Sequence, residues 1–116
     1  MPKIAVPELT LVSKNGSSKM SIRIDYVALK KAAGVLRAVN HKLRQSIIRL
    51  LEDNGKMTVT EIYVKLRLEQ SVASQHLAIL RNANVVNTDR DGKFIYYTLN
   101  HDRIAELADL VEELSK

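Results

Sequence analysis

Four short polar side chains in the middle of the chain have the spacing and chemistry of a group that could recognise DNA bases. They share one face of a predicted helix and are Gln70, Ser71, Ser74 and Gln75. Apolar residues occupy the opposite face: Val72, Ala73, Leu77 and Leu80. A glutamine amide can pair with adenine through two hydrogen bonds, and a serine hydroxyl can bond to several base edges in a major groove. An ordinary solvated helix face has the same pattern, so the row by itself leaves both interpretations open.

Basic residues on both sides of this row are candidates for contacts with phosphate groups. We expect such contacts from Arg81, Arg90 and Lys93, with Lys42 or Arg44 reaching the DNA backbone from an earlier helix. The position of His76 in the helix makes it half-buried, which favours packing or a phosphate contact over catalysis.

The charge of the chain is unevenly distributed. Residues 1–100 contain 16 basic and 8 acidic side chains, whereas residues 101–116 have a net charge of −3. A polyanion would therefore bind the body of the chain and avoid its C-terminal end. Many soluble domains are similarly basic, so charge alone does not establish nucleic-acid binding.

Length and composition exclude several classes of protein. A chain of 116 residues with 46% hydrophobic and 27% charged residues fits one small globular domain. It has no cysteine, which excludes disulfides, thiolate metal ligands and a cysteine nucleophile. No apolar run is long enough to span a membrane, and the N-terminus lacks the apolar core of a signal peptide, so we expect a cytoplasmic protein without membrane association.

The sequence also lacks the residue groupings that are typical of catalytic sites. The three histidines fall in separate predicted helices, and the sequence offers neither paired carboxylates beside a pocket-like segment nor a glycine-rich phosphate loop. We therefore expect no catalysis and no cofactor.

Periodicity predicts a mainly helical fold with a small β-hairpin. The helices are expected near residues 25–39, 40–55, 58–66, 70–82 and 102–115. Their boundaries rest on Asp25 and Asn40 as N-caps, on Thr58 and Glu61 as a capping box, and on Gly55 as a C-terminal stop. Two short helices joined by about three residues form a helix-turn-helix candidate within this order.

Residues 1–20 are expected to form a separate N-terminal arm, either an edge strand or flexible, before a domain at residues 21–116. Pro7 argues against a central strand in this segment. The arm could extend a dimer or contact DNA through Lys3, Lys14 and Lys19.

The pattern changes from helical to alternating after Asn84, and Asp91-Gly92 predicts a type I′ hairpin turn. Pairing outward from this turn places Arg90 opposite Lys93. Further from the turn, Thr88 is expected opposite Ile95, and Val86 opposite Tyr97. One face of the hairpin can then close over the helices, while basic residues lie at its tip.

The last helix carries an apolar stripe at spacings of three and four residues. Its members are Ile104, Leu107, Leu110, Val111 and Leu114. The stripe could pack on its own domain, but a small domain whose other apolar faces are already used favours a dimer interface. Leu29 and Leu36 of the first helix are expected to join this interface.

Three segments together resemble one known family. They are H-K-L-R-Q-S-I-I-R-L-L, Q-S-V-A-S-Q-H-L-A-I-L-R-N-A-N-V-V and D-R-D-G-K-F-I-Y-Y-T-L. In order and spacing, over about residues 36–115, they are similar to the ArsR/SmtB family of bacterial transcriptional repressors. The resemblance implies a winged helix-turn-helix of about five helices and a two-stranded wing. It also implies a homodimer that binds double-stranded DNA at a near-palindromic operator, with half-sites roughly 34 Å apart.

The sequence departs from the family pattern at several positions. Asn84 replaces a usual glycine, which matters little because Asn tolerates the left-handed conformation. Glu69 replaces a usual serine cap of the recognition helix, although its carboxylate can still accept from the first-turn amides.

The metal sites that the resemblance implies are poorly matched. Thr58 and Thr60 stand where arsenic and cadmium sensors have thiolates, and hydroxyls do not replace these for a soft ion. Where zinc and nickel sensors have their ligands, the last helix offers His101 and Asp102 early and only Glu112 and Glu113 late. We expect no metal site and a surface position for His101.

Two alternatives remain open at this point. The first is a winged-helix module that contacts another protein through the same helix face, and the second is a metal-gated repressor with a non-thiolate site. The sequence does not identify an inducer, which could be a small molecule or a partner protein.

Overall fold

Five helices and five strands make up the part of the chain that the computed structural model describes, residues 9–12 and 21–116. The helices are α1 (Tyr26–Val39), α2 (Lys42–Asn54), α3 (Val59–Leu66), α4 (Gln70–Asn82) and α5 (His101–Leu114). The strands are β1 (Leu9–Val12), β2 (Ser21–Ile24), β3 (Lys56–Thr58), β4 (Val86–Asp91) and β5 (Phe94–Leu99). The predicted mainly helical fold with a hairpin is confirmed. In the described ranges, none of the helices has the length and apolar character of a membrane span.

The chain divides into two compact units, residues 1–35 and residues 36–116. In the first unit, β1 and β2 pair antiparallel, with Leu9 opposite Ile24 and Val12 opposite Ser21. Asp25 caps α1 as predicted, because its Oδ1 accepts from the Val27 amide at 2.9 Å. The lysines of the predicted arm, Lys3, Lys14 and Lys19, lie outside the described residues, and the predicted domain boundary stays a prediction.

The second unit is built around one apolar core to which α2, α3, α4 and the wing all contribute. Its buried members are Ile47, Leu51, Met57, Ile62, Leu77, Leu80, Val85, Val86 and Leu99. Each large side chain buried in this way favours folding by about 1.5–3 kcal/mol. The core therefore fixes α4 against α2 and α3 from one side and leaves the other side of α4 exposed.

The helix ends show which local signals the sequence carries. Thr58 and Glu61 form the predicted capping box, and Gly55 ends α2 at a φ of +83°. The predicted N-cap Asn40 is wrong, because its amide still donates to Leu36 at the end of α1, at 2.9 Å. His41 caps α2 instead, its Nδ1 accepting from the Leu43 amide at 3.1 Å.

The wing is a three-stranded antiparallel sheet in the order β3-β5-β4, one strand more than predicted. The extra strand pairs Met57 with Tyr97 and Thr58 with Tyr96. Three residues are too few to show an alternating pattern, so periodicity could not predict β3.

The predicted hairpin register is wrong. Asp91 pairs with Phe94, Arg90 with Ile95 and Val86 with Leu99, so Gly92 and Lys93 are the central turn residues. Within the described residues Gly92 is the hairpin position with positive φ, at +64°, which is the φ pattern of a type II′ turn. The predicted type I′ turn, with Asp91 and Gly92 as its central residues, would need positive φ at Asp91 as well. The register moves by two positions, which preserves the predicted faces of the strands.

Candidate nucleic-acid interface

Helices α3 and α4 form a helix-turn-helix through the short turn Arg67–Glu69. Arg67 has the left-handed φ of +56°, and the Leu68 amide donates back to the Tyr63 carbonyl at 2.9 Å. This is the bond pattern of a Schellman motif, which ends α3 abruptly and allows α4 to begin three residues later. The predicted connection of about three residues is confirmed, although its left-handed residue is an arginine where glycine or asparagine is usual.

Helix α4 separates buried apolar residues from exposed polar ones. Ala73, Leu77 and Leu80 have no solvent exposure, which anchors this face in the core, while Val72 is half-buried. All four residues predicted to contact bases are exposed: Gln70, Ser71, Ser74 and Gln75. We call these four residues the polar row. The structure brings them together on the surface of one rigid helix.

The first turn of α4 has no side-chain cap. Glu69 is the N-cap residue with an extended backbone, and its carboxylate makes no capping hydrogen bond, although a carboxylate at this position could accept from the first-turn amides. The N–H groups of the first turn therefore have no side-chain acceptor, and the exposed Glu69 carboxylate lies at the same end of α4 as Gln70 and Ser71.

The predicted backbone-contacting residues fall into two groups. Lys42, Arg81, Arg90 and Lys93 are exposed. The guanidinium of Arg90 donates from Nε to the Gly92 carbonyl at 3.2 Å, which directs it toward the wing turn. The ammonium of Lys93 lies 5.6 Å from the centre of the Phe94 ring. All four cationic side chains are therefore accessible to solvent.

Arg44 and His76 form the second group and lie in an internal cluster. Arg44 donates from Nε to the Ala38 carbonyl at 2.6 Å, and its Nη1 lies 3.4 Å from Nδ1 of His76. The His76 ring also lies 4.9 Å from the His41 ring, centre to centre. Because arginine is always a donor, Nδ1 of His76 must accept, which places the proton of the neutral ring on Nε2. The cluster thus joins the start of α2 to the middle of α4.

The environment of this cluster favours a neutral His76. Burial lowers the pKa of His76 below its ordinary value of 6.5, and the neighbouring His41 and Arg44 lower it further. The unfolded chain therefore takes up this proton at a higher pH than the folded chain. Stability from the neutral ring is fully present above about pH 6.5 and is lost as the pH falls through the lowered pKa of the folded state.

We expect the His76→Gln variant to lose less stability than the wild type on acidification, because glutamine can accept from Arg44 but does not titrate. Urea unfolding at about pH 7.5 and about pH 5 measures the difference. His101→Gln removes an exposed imidazole outside the cluster and is the matched control. An equal loss in the wild type and in His76→Gln would contradict the assignment.

One cationic residue near the wing was missed by the sequence analysis. Lys56 lies on β3 with its ammonium 4.6 Å from the centre of the Tyr96 ring. The Tyr96 ring in turn lies 6.4 Å from Phe94, so aromatic and cationic groups alternate on the outer face of the sheet. The alternation in β5 predicted the face of Tyr96 and Phe94, but only knowledge of β3 could have added Lys56.

The residues that correspond to metal ligands do not fit a metal. The hydroxyl of Thr58 donates to Glu61 at 3.0 Å and accepts from its amide at 3.2 Å, so it is committed to capping α3. His101 and Asp102 are exposed in the first turn of α5. Across residues 9–12 and 21–116, the His, Asp and Glu side chains form no group of three that could hold a metal ion.

The apolar stripe of α5 that was predicted to form a dimer interface is partly half-buried and partly exposed in the structure. Ile104 and Leu107 are half-buried and pack against the core of their own chain. The later members of the stripe remain exposed: Leu110 (40%), Val111 (48%) and Leu114 (71%). In α1, Leu29 is exposed and Leu36 is half-buried. The last turns of α5 therefore present an apolar surface that the protomer leaves uncovered.

Comparison with known proteins gives a consistent result. The family model described as "Bacterial regulatory protein, arsR family" matches residues 41–88, which contain α2, the helix-turn-helix and the first half of β4. The transcriptional repressor PagR of Bacillus anthracis is 32% identical over 92 residues, covering 79% of this chain and 92% of PagR. The transcriptional activator HlyU of Vibrio cholerae is 36% identical over 84 residues, covering 72% of this chain and 77% of HlyU.

Solved structures show the same likeness. The crystal structure of PagR superposes with a TM-score of 0.62 over 75% of this chain and 99% of PagR. A winged helix-turn-helix DNA-binding domain from Mycobacterium bovis, described as homodimeric, is 27% identical and gives a TM-score of 0.65. That match covers 77% of this chain and 82% of the other.

Proposed function

Since this chain belongs to the ArsR family of winged helix-turn-helix transcriptional regulators, we propose that it is a homodimeric repressor of a near-palindromic operator. The observation that carries the proposal is the exposed polar row on a helix whose opposite face is locked into the core. Rigid presentation matters because base recognition requires hydrogen-bond donors and acceptors to be held within a few tenths of an ångström.

In the proposed complex, the start of α4 enters the major groove. Gln70 and Gln75 supply amides that can pair with adenine, while Ser71 and Ser74 bond to neighbouring base edges. The first-turn N–H groups, which have no side-chain acceptor, can donate to a nearby phosphate. The hydroxyls and amides therefore provide specificity, and the helix end contributes to positioning.

The wing and the end of α4 supply the sequence-independent part of the binding. Arg81 contacts the DNA backbone beside the recognition helix, and Arg90 and Lys93 reach it from the wing tip, where an adjacent minor groove is accessible. These contacts release counterions, so affinity should depend strongly on salt.

We expect the logarithm of operator affinity to fall linearly with the logarithm of salt concentration, by about 0.9 for each neutralised phosphate. Lys93→Ala should reduce this slope by about one for each protomer. Lys116→Ala removes the same charge from the acidic C-terminal segment and should leave the slope unchanged. Fluorescence anisotropy at several salt concentrations measures both variants, and a wild-type slope near zero would contradict the phosphate contacts.

Dimerisation is proposed from the apolar surface at the end of α5 together with the homodimeric relative from M. bovis. A two-fold axis between the protomers would present two copies of α4 about 34 Å apart, one turn of B-DNA. Two inverted half-sites about 10 base pairs apart are therefore expected in the operator.

We propose repression because a dimer bound over a promoter would block RNA polymerase from the same stretch of DNA. PagR is named as a repressor and HlyU as an activator, so the direction of regulation needs its own test. Genomic fragments selected by the full chain should contain inverted half-sites, and adding the protein should lower transcription in vitro from promoters overlapping them. Raised transcription would identify an activator, and selection of fragments without a shared motif would contradict sequence-specific binding.

A further inference from the structure

Two side chains at the start of α5, from its N-cap residue and its first turn, form hydrogen bonds with the turn that follows α4. The guanidinium of Arg103 donates from Nε to the Ala83 carbonyl at 3.3 Å, and the amide of Asn100 donates from Nδ2 to the Asn84 carbonyl at 2.9 Å. In the described part of the chain, no backbone amide of a turn or cap donates to either carbonyl. We call these two hydrogen bonds the α4–α5 clamp.

Asn100 forms hydrogen bonds both with α5 and with the segment that follows α4. Its Oδ1 accepts from the Arg103 amide at 3.3 Å and so caps α5, while its own backbone amide donates to the Val85 carbonyl at 2.9 Å. Asn100 is half-buried; its bond to the Arg103 amide is partly buried, and its bond to the Asn84 carbonyl is exposed. Capping of α5 and attachment to the end of α4 therefore depend on the same amide group.

The turn that receives these bonds fixes the end of α4. Asn84 adopts a φ of +61°, which brings the Val85 amide to the Leu80 carbonyl at 3.0 Å and the Asn84 amide to the Arg81 carbonyl at 2.9 Å. The other end of α4 has no side-chain cap. The C-terminal end is thus the better anchored end of the helix, and the clamp ties it to α5.

A small change at this end would displace the polar row. Helix α4 is about 18 Å long at 1.5 Å per residue, so a tilt of about 5° at Asn82 would move Gln70 by about 1.5 Å. A displacement of that size exceeds the narrow range of distances over which hydrogen bonds form. The orientation of α4 is therefore critical for contacts with bases.

We propose that Asn100 and Arg103 are positioning residues that set the orientation of the recognition helix relative to α5. The inference rests on the proposed function, because it assigns these residues to the accuracy of DNA recognition. It extends that function by naming the contacts through which α5, with its exposed apolar end, holds the polar row in place.

The Asn100→Asp variant separates the two roles of the residue. Aspartate retains the Oδ1 acceptor that caps α5 but lacks the Nδ2 donor to Asn84. We expect the ratio of operator affinity to random-DNA affinity to fall about tenfold or more, because the added charge weakens both affinities but misorientation weakens only the specific one. Asn100→Ser, which also caps helices, is the second variant if Asn100→Asp proves unstable.

Glu106→Gln is the matched control, since it removes the carboxylate charge that pairs with Arg103 at 3.3 Å but keeps every donor and acceptor of the two clamp hydrogen bonds. Its specificity ratio should match that of the wild type. Urea unfolding and sedimentation of each variant separate misorientation from loss of folding or dimerisation.

Amide hydrogen exchange tests the clamp without DNA. In Asn100→Asp we expect faster exchange at the Asn84 and Val85 amides, and in Glu106→Gln we expect wild-type exchange. Unchanged exchange in Asn100→Asp, or a specificity ratio within twofold of the wild type, would overturn the inference. A wild-type chain that binds no DNA specifically would instead overturn the proposed function, and the exchange result would still stand.

Discussion

Replacing Ser74 and Gln75 together with alanine is expected to lower operator affinity about 100-fold or more while the fold is retained. A well-placed base contact contributes about 1–3 kcal/mol, and a dimer loses each contact twice. Alanine is the best helix former and both positions are exposed, so α4 should remain intact. Anisotropy with the selected operator and with random DNA measures the loss of specificity directly.

The matched control for this experiment lies on α2. Gln45 and Ser46 are adjacent, exposed and of the same residue types, but they donate to backbone carbonyls of their own chain. The Gln45→Ala and Ser46→Ala double variant removes the same groups without altering the polar row and should bind the operator as the wild type does. Wild-type operator binding by the α4 variant would contradict the assignment of the polar row to base contacts.

A second large effect is expected from the apolar end of α5. Leu110→Glu combined with Leu114→Glu introduces two carboxylates one turn apart on a surface that the protomer leaves exposed. The monomer should tolerate them, whereas a dimer interface would have to bury two charges in each protomer. We therefore expect a folded monomer and an operator affinity about 10²–10⁴-fold lower, because two linked half-site contacts become independent.

Sedimentation over a range of protein concentrations distinguishes monomer from dimer, and titration with a single half-site shows whether each protomer still recognises DNA. Ala105→Glu, at an exposed position on another side of α5, is the control for added negative charge. If the double variant remained a dimer with wild-type operator affinity, the interface would have to lie elsewhere on the chain.

Each set of variants changes a different part of the proposed dimer–DNA complex. The α4 variant removes specific contacts from an intact dimer, and the α5 variant separates two intact recognition helices. Wing variants change the salt dependence without changing the preferred sequence. A winged-helix module that binds another protein would show none of these three patterns with DNA.

Features that depend on local pattern were predictable. The spacing of Ala73, Leu77 and Leu80 placed the polar row on the opposite face, and the Thr58–Glu61 capping box fixed the start of α3. The left-handed Asn84 was expected from the tolerance of asparagine for that conformation. Each of these features is determined within about one helical turn of sequence.

The errors arose where two local signals competed. Asn40 and His41 could each cap α2, and the choice depended on how far α1 extended. At the wing tip, Asp91-Gly92 fitted a type I′ turn, but the pairing of β4 with β5 placed Gly92 at the first central position of the turn. The register of a hairpin therefore depends on the sheet as well as on its turn residues.

The helices, the two faces of α4 and the faces of the wing strands were predictable from local pattern, because side-chain periodicity and capping act over a few residues. The third strand of the wing sheet, the Arg44–His76 contact and the α4–α5 clamp form only in the folded chain. These contacts join residues between 16 and 42 positions apart along the chain. Such contacts produce no periodic pattern in the sequence, since the residues meet only after the apolar core has brought their helices and strands together.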